Sequence, residues 1–374
     1  MRKAVSWYNK SIRNLISNMG FLDIKMFLRR YNKSKVADAI ALLPEQIISG
    51  WNSAQSIKLP KAYGAIENIV ICGMGGSNLA SELIRSALGD ELKKPVILTR
   101  DYHIPAFVNT KTLVLAISYS GSTEETLNCV AEAIKAKTKV CCLASGGKLL
   151  EIAASKKIPV VKFSTEYNPS NQPRYAVGIQ LGAILAIFKA VKVLDVKSAD
   201  LKRVVDYVAE AGQKFNWDSK TKHNPAKKIA LQFKQVAPMI VSAGNLSANG
   251  HILVNQINES AKCVADYFNL PELNHHLLEG LKNPKKINKQ IKFLFLNSPA
   301  YYAVIQKRAL LTKKVLAKQK IKSVDFTVKT EHGLAGALEA LAFGSWFSFY
   351  LAVLYKQDPA NIPFVNWFKG ELKK

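Results

Sequence analysis

Acidic side chains are scarce in this 374-residue chain: 27 Asp and Glu stand against 53 Lys and Arg, a formal charge of +26. Such a balance would suit a polyanionic partner, but the bases are 44 lysines and only nine arginines, spread throughout. The densest acid-free stretch, Lys282 to Lys322, matches no nucleic-acid motif, so it reads as a solvated lysine-rich face and no nucleic-acid partner is expected. Cysteine is sparse and odd in number (Cys72, Cys129, Cys141, Cys142 and Cys263), without paired metal spacing. Neither a disulfide framework nor a zinc site is indicated, and a reducing compartment fits. With 48% hydrophobic residues, 20 Gly and 14 Pro, the chain is neither disordered nor collagen-like. The longest apolar runs are broken, Tyr175 to Leu194 by Gln180, Lys189 and Lys192, and Ala335 to Tyr355 by Glu339. Both are expected to be buried helices, so no membrane partner is implied. The basic, amphipathic N-terminus has no continuous apolar core of signal-peptide type, and a cytoplasmic location is expected.

What is present alternates. Residues 1–45 read as a peripheral helical extension, ended by Pro44 and a turn at Gly50. Apolar, β-branched runs at Asn68–Cys72, Pro95–Thr99, Thr112–Ile117, Val140–Ala144 and Pro159–Phe163 are separated by helical segments at Leu79–Leu88, Glu124–Ala136 and Lys148–Ser155. This spacing predicts an α/β fold, a parallel sheet covered on both faces, for residues 46–200. Residues 201–230 contain the polar stretch Lys214–Lys228 and read as a linker. A second alternating half, 231–374, has strands at Pro238–Ser242, Lys292–Leu296 and Lys322–Val328, and helices at Ala248–Ala265, Ala303–Ala317 and Ala335–Tyr355.

Two strand-to-helix loops carry chemistry. The first strand runs into Gly73-Met74-Gly75-Gly76-Ser77, where glycines permit close backbone approach and free N–H groups at a helix start can face an anion. It departs from the dinucleotide pattern at Asn78 and has no Walker lysine. The third strand ends in Ser118-Tyr119-Ser120-Gly121-Ser122-Thr123, directly before a helix. Hydroxyls clustered around one Gly at the carboxyl end of a parallel strand can surround a phosphate. A plain polar helix cap is the competing reading.

Taken together, GMGGS followed by SYSGSTEET resembles the sugar isomerase domain (SIS) family, whose members bind phosphosugars. The later segments NQPRYAVG, QINESAK, PELNHHLLEG and VNWFK are similar to one branch, the bifunctional phosphoglucose/phosphomannose isomerases. That resemblance implies two SIS domains of flavodoxin-like, three-layer αβα form with parallel sheets, and an aldose–ketose isomerase acting on glucose 6-phosphate, and mannose 6-phosphate, against fructose 6-phosphate. It assigns Gly75, Gly76, Ser77, Ser118, Ser120 and Thr123 to holding the substrate, and Arg174 to a place beside the reacting carbons. Glu259 matches the family's catalytic base, His275 the histidine of ring opening, with His276 its neighbour, and Lys369 the C-terminal lysine paired with that task. The resemblance also implies a homodimer with a shared active site, and neither cofactor nor metal. A non-catalytic phosphosugar-binding regulator is the alternative; it would need the phosphate loops but not the proton-transfer set.

Overall fold

The computed structural model describes residues 20–372 and 374. Its first sheet is wholly parallel, in the order β2-β1-β3-β4-β5, with β1 Asn68–Cys72, β2 Val96–Thr99, β3 Thr112–Ser118, β4 Lys139–Ala144 and β5 Val160–Lys162. All seven residues of β3 are buried, as expected of a central strand covered on both faces. Cys72 pairs with Ala116, so β1 and β3 end almost abreast and the loops that follow them start side by side. The second sheet is also parallel, in the order β7-β6-β8-β9, with β6 Ala237–Ala243, β7 Asp266–Leu270, β8 Ile291–Asn297 and β9 Ser323–Thr327.

The helices of six or more residues, in chain order, are α1 Lys25–Arg30, α2 Val36–Ala41, α3 Leu43–Gln55, α4 Leu79–Ala87, α5 Glu124–Lys135, α6 Gly147–Ser155, α7 Val177–Ala190, α8 Ser198–Phe215, α9 Pro225–Gln232, α10 Ser247–Gln256, α11 Ala303–Lys318, α12 Gly333–Leu354 and α13 Pro363–Glu371. Helix α12 is long and apolar enough to cross a membrane, but 94% of its apolar window is buried within the protein. Its one acid, Glu339, is 3% exposed and accepts from the Tyr207 hydroxyl at 2.6 Å and the Lys329 amide at 2.8 Å, which meets the demand of a buried carboxylate.

Four local expectations are corrected. Of the peripheral extension 1–45, residues 1–19 lie outside the described residues, and the rest is not peripheral: Leu22, Leu28, Val36 and Ile40 enter the main core. Gly50 is no turn, since it lies inside α3, where an added Cβ would stand 1.8 Å from the carbonyl oxygen of Ile179 in α7. The glycine marks a helix crossing. Much of the expected linker 201–230 is helix α8, which buries Leu201, Val204, Val205, Val208 and Phe215 at helical spacing beneath a polar outer face, followed by the start of α9. The helix expected over Ala248–Ala265 stops at Gln256, passes through a π-helical turn at Ile257–Ala261, and ends at Lys262 with φ 53°. Beyond it lies β7, an edge strand not expected from the sequence, whose five residues DYFNL are mostly half-buried rather than continuously buried.

Candidate active site

The two loops of the first sheet are hydrogen-bonded to one another. Ser77 Oγ accepts from the backbone amide of Tyr119 at 2.9 Å, joining the β1 loop to the β3 loop. Ser118 Oγ accepts from the Gly121 amide at 3.0 Å and lies 2.8 Å from Thr123 Oγ1. Buried Ser77 and Ser118 therefore brace the loops, whereas Ser120 and Ser122 stay exposed and Thr123 is half-buried. Ser122 was not singled out in the sequence; its exposure between two other hydroxyls is what marks it. Gln180, with its amide turned to face them, donates to the carbonyls of Gly76 and Ser77 at 3.2 and 3.3 Å, which explains a glutamine inside an apolar helix.

Gly76 has no room for a side chain: a Cβ there would lie 2.8 Å from the backbone N of Arg174 and the carbonyl carbon of Pro173. This close approach puts the β1 loop against the short 3₁₀ turn Pro173–Tyr175 that precedes α7. Side chains extend the path. The Tyr119 hydroxyl accepts from Asn168 Nδ2 at 2.9 Å, which also donates to the Gln172 carbonyl at 3.0 Å. Gln172 Oε1 in turn accepts from Arg174 Nη1 at 2.9 Å.

Arg174 is 2% exposed, and all five of its N–H donors are occupied. Nε donates to Ser260 Oγ at 3.2 Å, Nη1 to Gln172 and to Glu259 Oε2 at 3.0 Å, and Nη2 to the carbonyls of Pro359 and Ala360 at 2.6 and 3.2 Å. No donor is left over for a sugar oxygen in this arrangement, so the guanidinium holds the Glu259 carboxylate. Glu259 itself is presented by the π-helical turn, with its side chain 34% exposed. Such single-turn widenings inside helices re-aim a side chain and recur at functional sites.

Lys262, three residues further, donates to the carbonyls of Glu259 and Ser260 at 3.0 and 3.2 Å and to that of Asp358 at 2.5 Å. Partial desolvation, reinforced by the charge of Arg174, pushes its ammonium down to about 8 against the opposing pull of Asp358 and Glu259. The left-handed turn that places Lys262 there has no sequence signal, and reading the sequence missed it.

The remaining expected residues are not gathered with these. His275 and His276 are both exposed, on and just after the 3₁₀ turn Glu272–His275. The His276 ring lies 6.4 Å from that of Phe268, while His275 makes no side-chain hydrogen bond among the described residues. Lys369 lies on α13, none of whose residues is buried. Phe364, Trp367 and Phe368 are 85, 65 and 57% exposed, so the aromatic side chains of this tail are not docked on their own chain.

Among the described residues there is no group of three or more His, Cys, Asp or Glu arranged to hold a metal ion.

Three comparisons bear on the site. Residues 222–372 match the model of the bacterial phospho-glucose isomerase C-terminal SIS domain. A bifunctional phosphoglucose/phosphomannose isomerase from Caldicellulosiruptor bescii is 30% identical over 339 residues, covering 90% of this chain and 98% of that protein. Another protein of the same name, from Aquifex aeolicus, is 30% identical over 88% of this chain and 98% of its own. Among solved structures, a hypothetical protein from Thermus thermophilus superimposes with a TM-score of 0.72 at 15% identity, over 100% of this chain and 96% of that one, a likeness of fold.

Proposed function

Because the chain belongs to the bifunctional phosphoglucose/phosphomannose isomerase family, we propose that it is an aldose–ketose isomerase interconverting glucose 6-phosphate and mannose 6-phosphate with fructose 6-phosphate. Exposed Ser120 and Ser122, half-buried Thr123 and the N–H groups before α5 bind the phosphate, while braced Ser77 and Ser118 keep the cradle in shape. Anchoring the dianion fixes C1 and C2 at a set distance from it, so binding energy remote from the reaction positions the reacting carbons.

Glu259 is the base. Its carboxylate takes the proton from C2 of the opened aldose as the C1 oxygen gains one, leaving a cis-enediol, and returns it to C1 as the C2 hydroxyl gives up its own proton, to give the ketose; the reverse direction exchanges the two carbons. Arg174 is a positioning residue, which keeps Oε2 of Glu259 at 3.0 Å and leaves the other carboxylate oxygen to work. His275 and Lys369 move the proton that opens the hemiacetal ring. As neither meets Glu259 within one chain, they act in a homodimer with a shared active site, and the bare aromatic face of α13 supports an assembly that covers it.

The observation that carries this reading is the unbroken path from Ser77 through Tyr119, Asn168, Gln172 and Arg174 to Glu259, which ties the phosphate cradle to the carboxylate. Conversion of fructose 6-phosphate, with both aldose products quantified, tests it. Glu259→Gln should retain phosphosugar binding and lose turnover by about a hundredfold or more. Binding without turnover in the unmodified protein would favour a phosphosugar sensor instead.

A further inference from the structure

The second sheet repeats the topology of the first. The order β7-β6-β8-β9 is that of β2-β1-β3-β4, so the gap between β6 and β8 is a second switch point. Ligands of open parallel sheets sit outside the carboxyl ends of the strands at such points. Each half also lends a helix end to the other. Helix α10 leads from the β6 loop to the turn that sets Glu259 beside Arg174. Helix α4 leads from the β1 loop toward the β6 loop, where Ser86 Oγ donates to the Asn245 carbonyl and accepts from the Ala248 amide, both at 3.4 Å.

At this second switch point is an open cavity of about 770 Å³, lined by Glu82, Asp90 and Glu91 and by Ser247, Asn269 and Tyr302. Its chemistry is unlike that of the first site. The loop after β8, Ser298-Pro299-Ala300-Tyr301, has no cluster of small hydroxyls to cradle a phosphate. Three carboxylates face the space with Arg85 as the cation of the lining, in a chain whose overall charge is +26. Oε2 of Glu82 is occupied by Arg100 and His251, each at 2.8 Å, while Oε1 has no partner among the described residues. Asp90 and Glu91 are exposed and make no ion pair among the described residues. A dianion would be repelled and an ammonium drawn in.

The rest of the lining fits a polyol. Asn269 Oδ1 accepts from Ser247 Oγ at 3.0 Å and from the Tyr267 hydroxyl at 3.1 Å, which leaves the Asn269 Nδ2 donors, without a partner among the described residues, for a sugar's hydroxyls. Tyr302, 75% exposed, offers a ring face to C–H groups or to a cation. We propose that this cavity is a second ligand site, which takes an unphosphorylated amino sugar through hydroxyl contacts at Ser247 and Asn269 and an ammonium at the carboxylates. The proposal does not depend on the isomerase activity.

The test is calorimetric titration of the full chain with D-glucosamine, D-galactosamine and D-mannosamine, with and without saturating fructose 6-phosphate, and with D-glucose as the uncharged control. At least one amino sugar should bind saturably, tighter than glucose, and stay bound when fructose 6-phosphate is present. The double substitution Asp90→Asn, Glu91→Gln should weaken it about fivefold, since exposed charges contribute modestly. Filling the mouth with Ala300→Trp should abolish binding. Absence of saturable binding by all three, displacement by fructose 6-phosphate, or unchanged affinity in both variants would overturn the proposal. Fructose 6-phosphate turnover is followed on the same samples, so this site and the isomerase reading can each fail alone.

Discussion

Replacing Arg174 with lysine keeps the charge and removes the fork, and the structure fixes what should follow. Five donors now satisfy Ser260, Gln172, Glu259 and the carbonyls of Pro359 and Ala360. An ammonium has three donors, so at least two acceptors lose their partner, at about 1–3 kcal/mol for each one that is buried. A destabilisation of about 2–6 kcal/mol is expected in urea unfolding followed by circular dichroism. The ion pair to Glu259 adds nothing separate, because that carboxylate is one-third exposed and its attraction is screened. Turnover should fall about a hundredfold through misplacement of Glu259, with KM for fructose 6-phosphate changed less than about threefold. If the lysine variant is as stable as the parent, or if KM rises while kcat holds, Arg174 contacts the sugar and the positioning role is wrong.

Other outcomes follow from Lys262 and the tail. With its pKa at about 8 in the folded chain against an ordinary 10.5, Lys262 should give kcat/KM an alkaline limb near pH 8, and Lys262→Arg, which cannot deprotonate, should move that limb upward; an unmoved limb assigns it to another group. In that same window the unfolded chain binds the extra proton, so the lysine's contribution to stability rises from about pH 8 to 10.5, a slope absent in Lys262→Met when unfolding is measured across pH. Phe364→Ser with Trp367→Ser should shift sedimentation toward monomer and reduce turnover together, without lowering the melting temperature of the monomeric fold, because neither side chain is packed on its own chain. A dimer that survives both changes would place the interface elsewhere.

The strands of the first sheet and the placing of both loops at strand ends were readable because a buried parallel strand such as β3 is continuously apolar and is punctuated by glycine and serine. Helix α8 was hidden by the opposite condition: its apolar face is one stripe among many polar residues, so composition suggested a linker where periodicity held a helix. The π-helical turn at Glu259 escaped for another reason. Where a helix widens and stops depends on tertiary partners of Ser260 and Lys262 that lie about 85 to 96 residues away in sequence. Arg174 was picked out by its neighbours in sequence, but its saturation by backbone carbonyls from residues 359 and 360 could be seen only in three dimensions.

Helix α12 is apolar on every side and packs against α2, α4, α8, α9 and α10. It is also nearly the last element to leave the ribosome. Until it emerges, the surfaces it will cover on both halves stay open to water, so the nascent chain passes most of its synthesis with an unsealed interior. Biogenesis, more than the finished protein, is therefore where this sequence is vulnerable: a chain cut short before residue 333 should be a chaperone client or an aggregate, whatever its first sheet has managed to form.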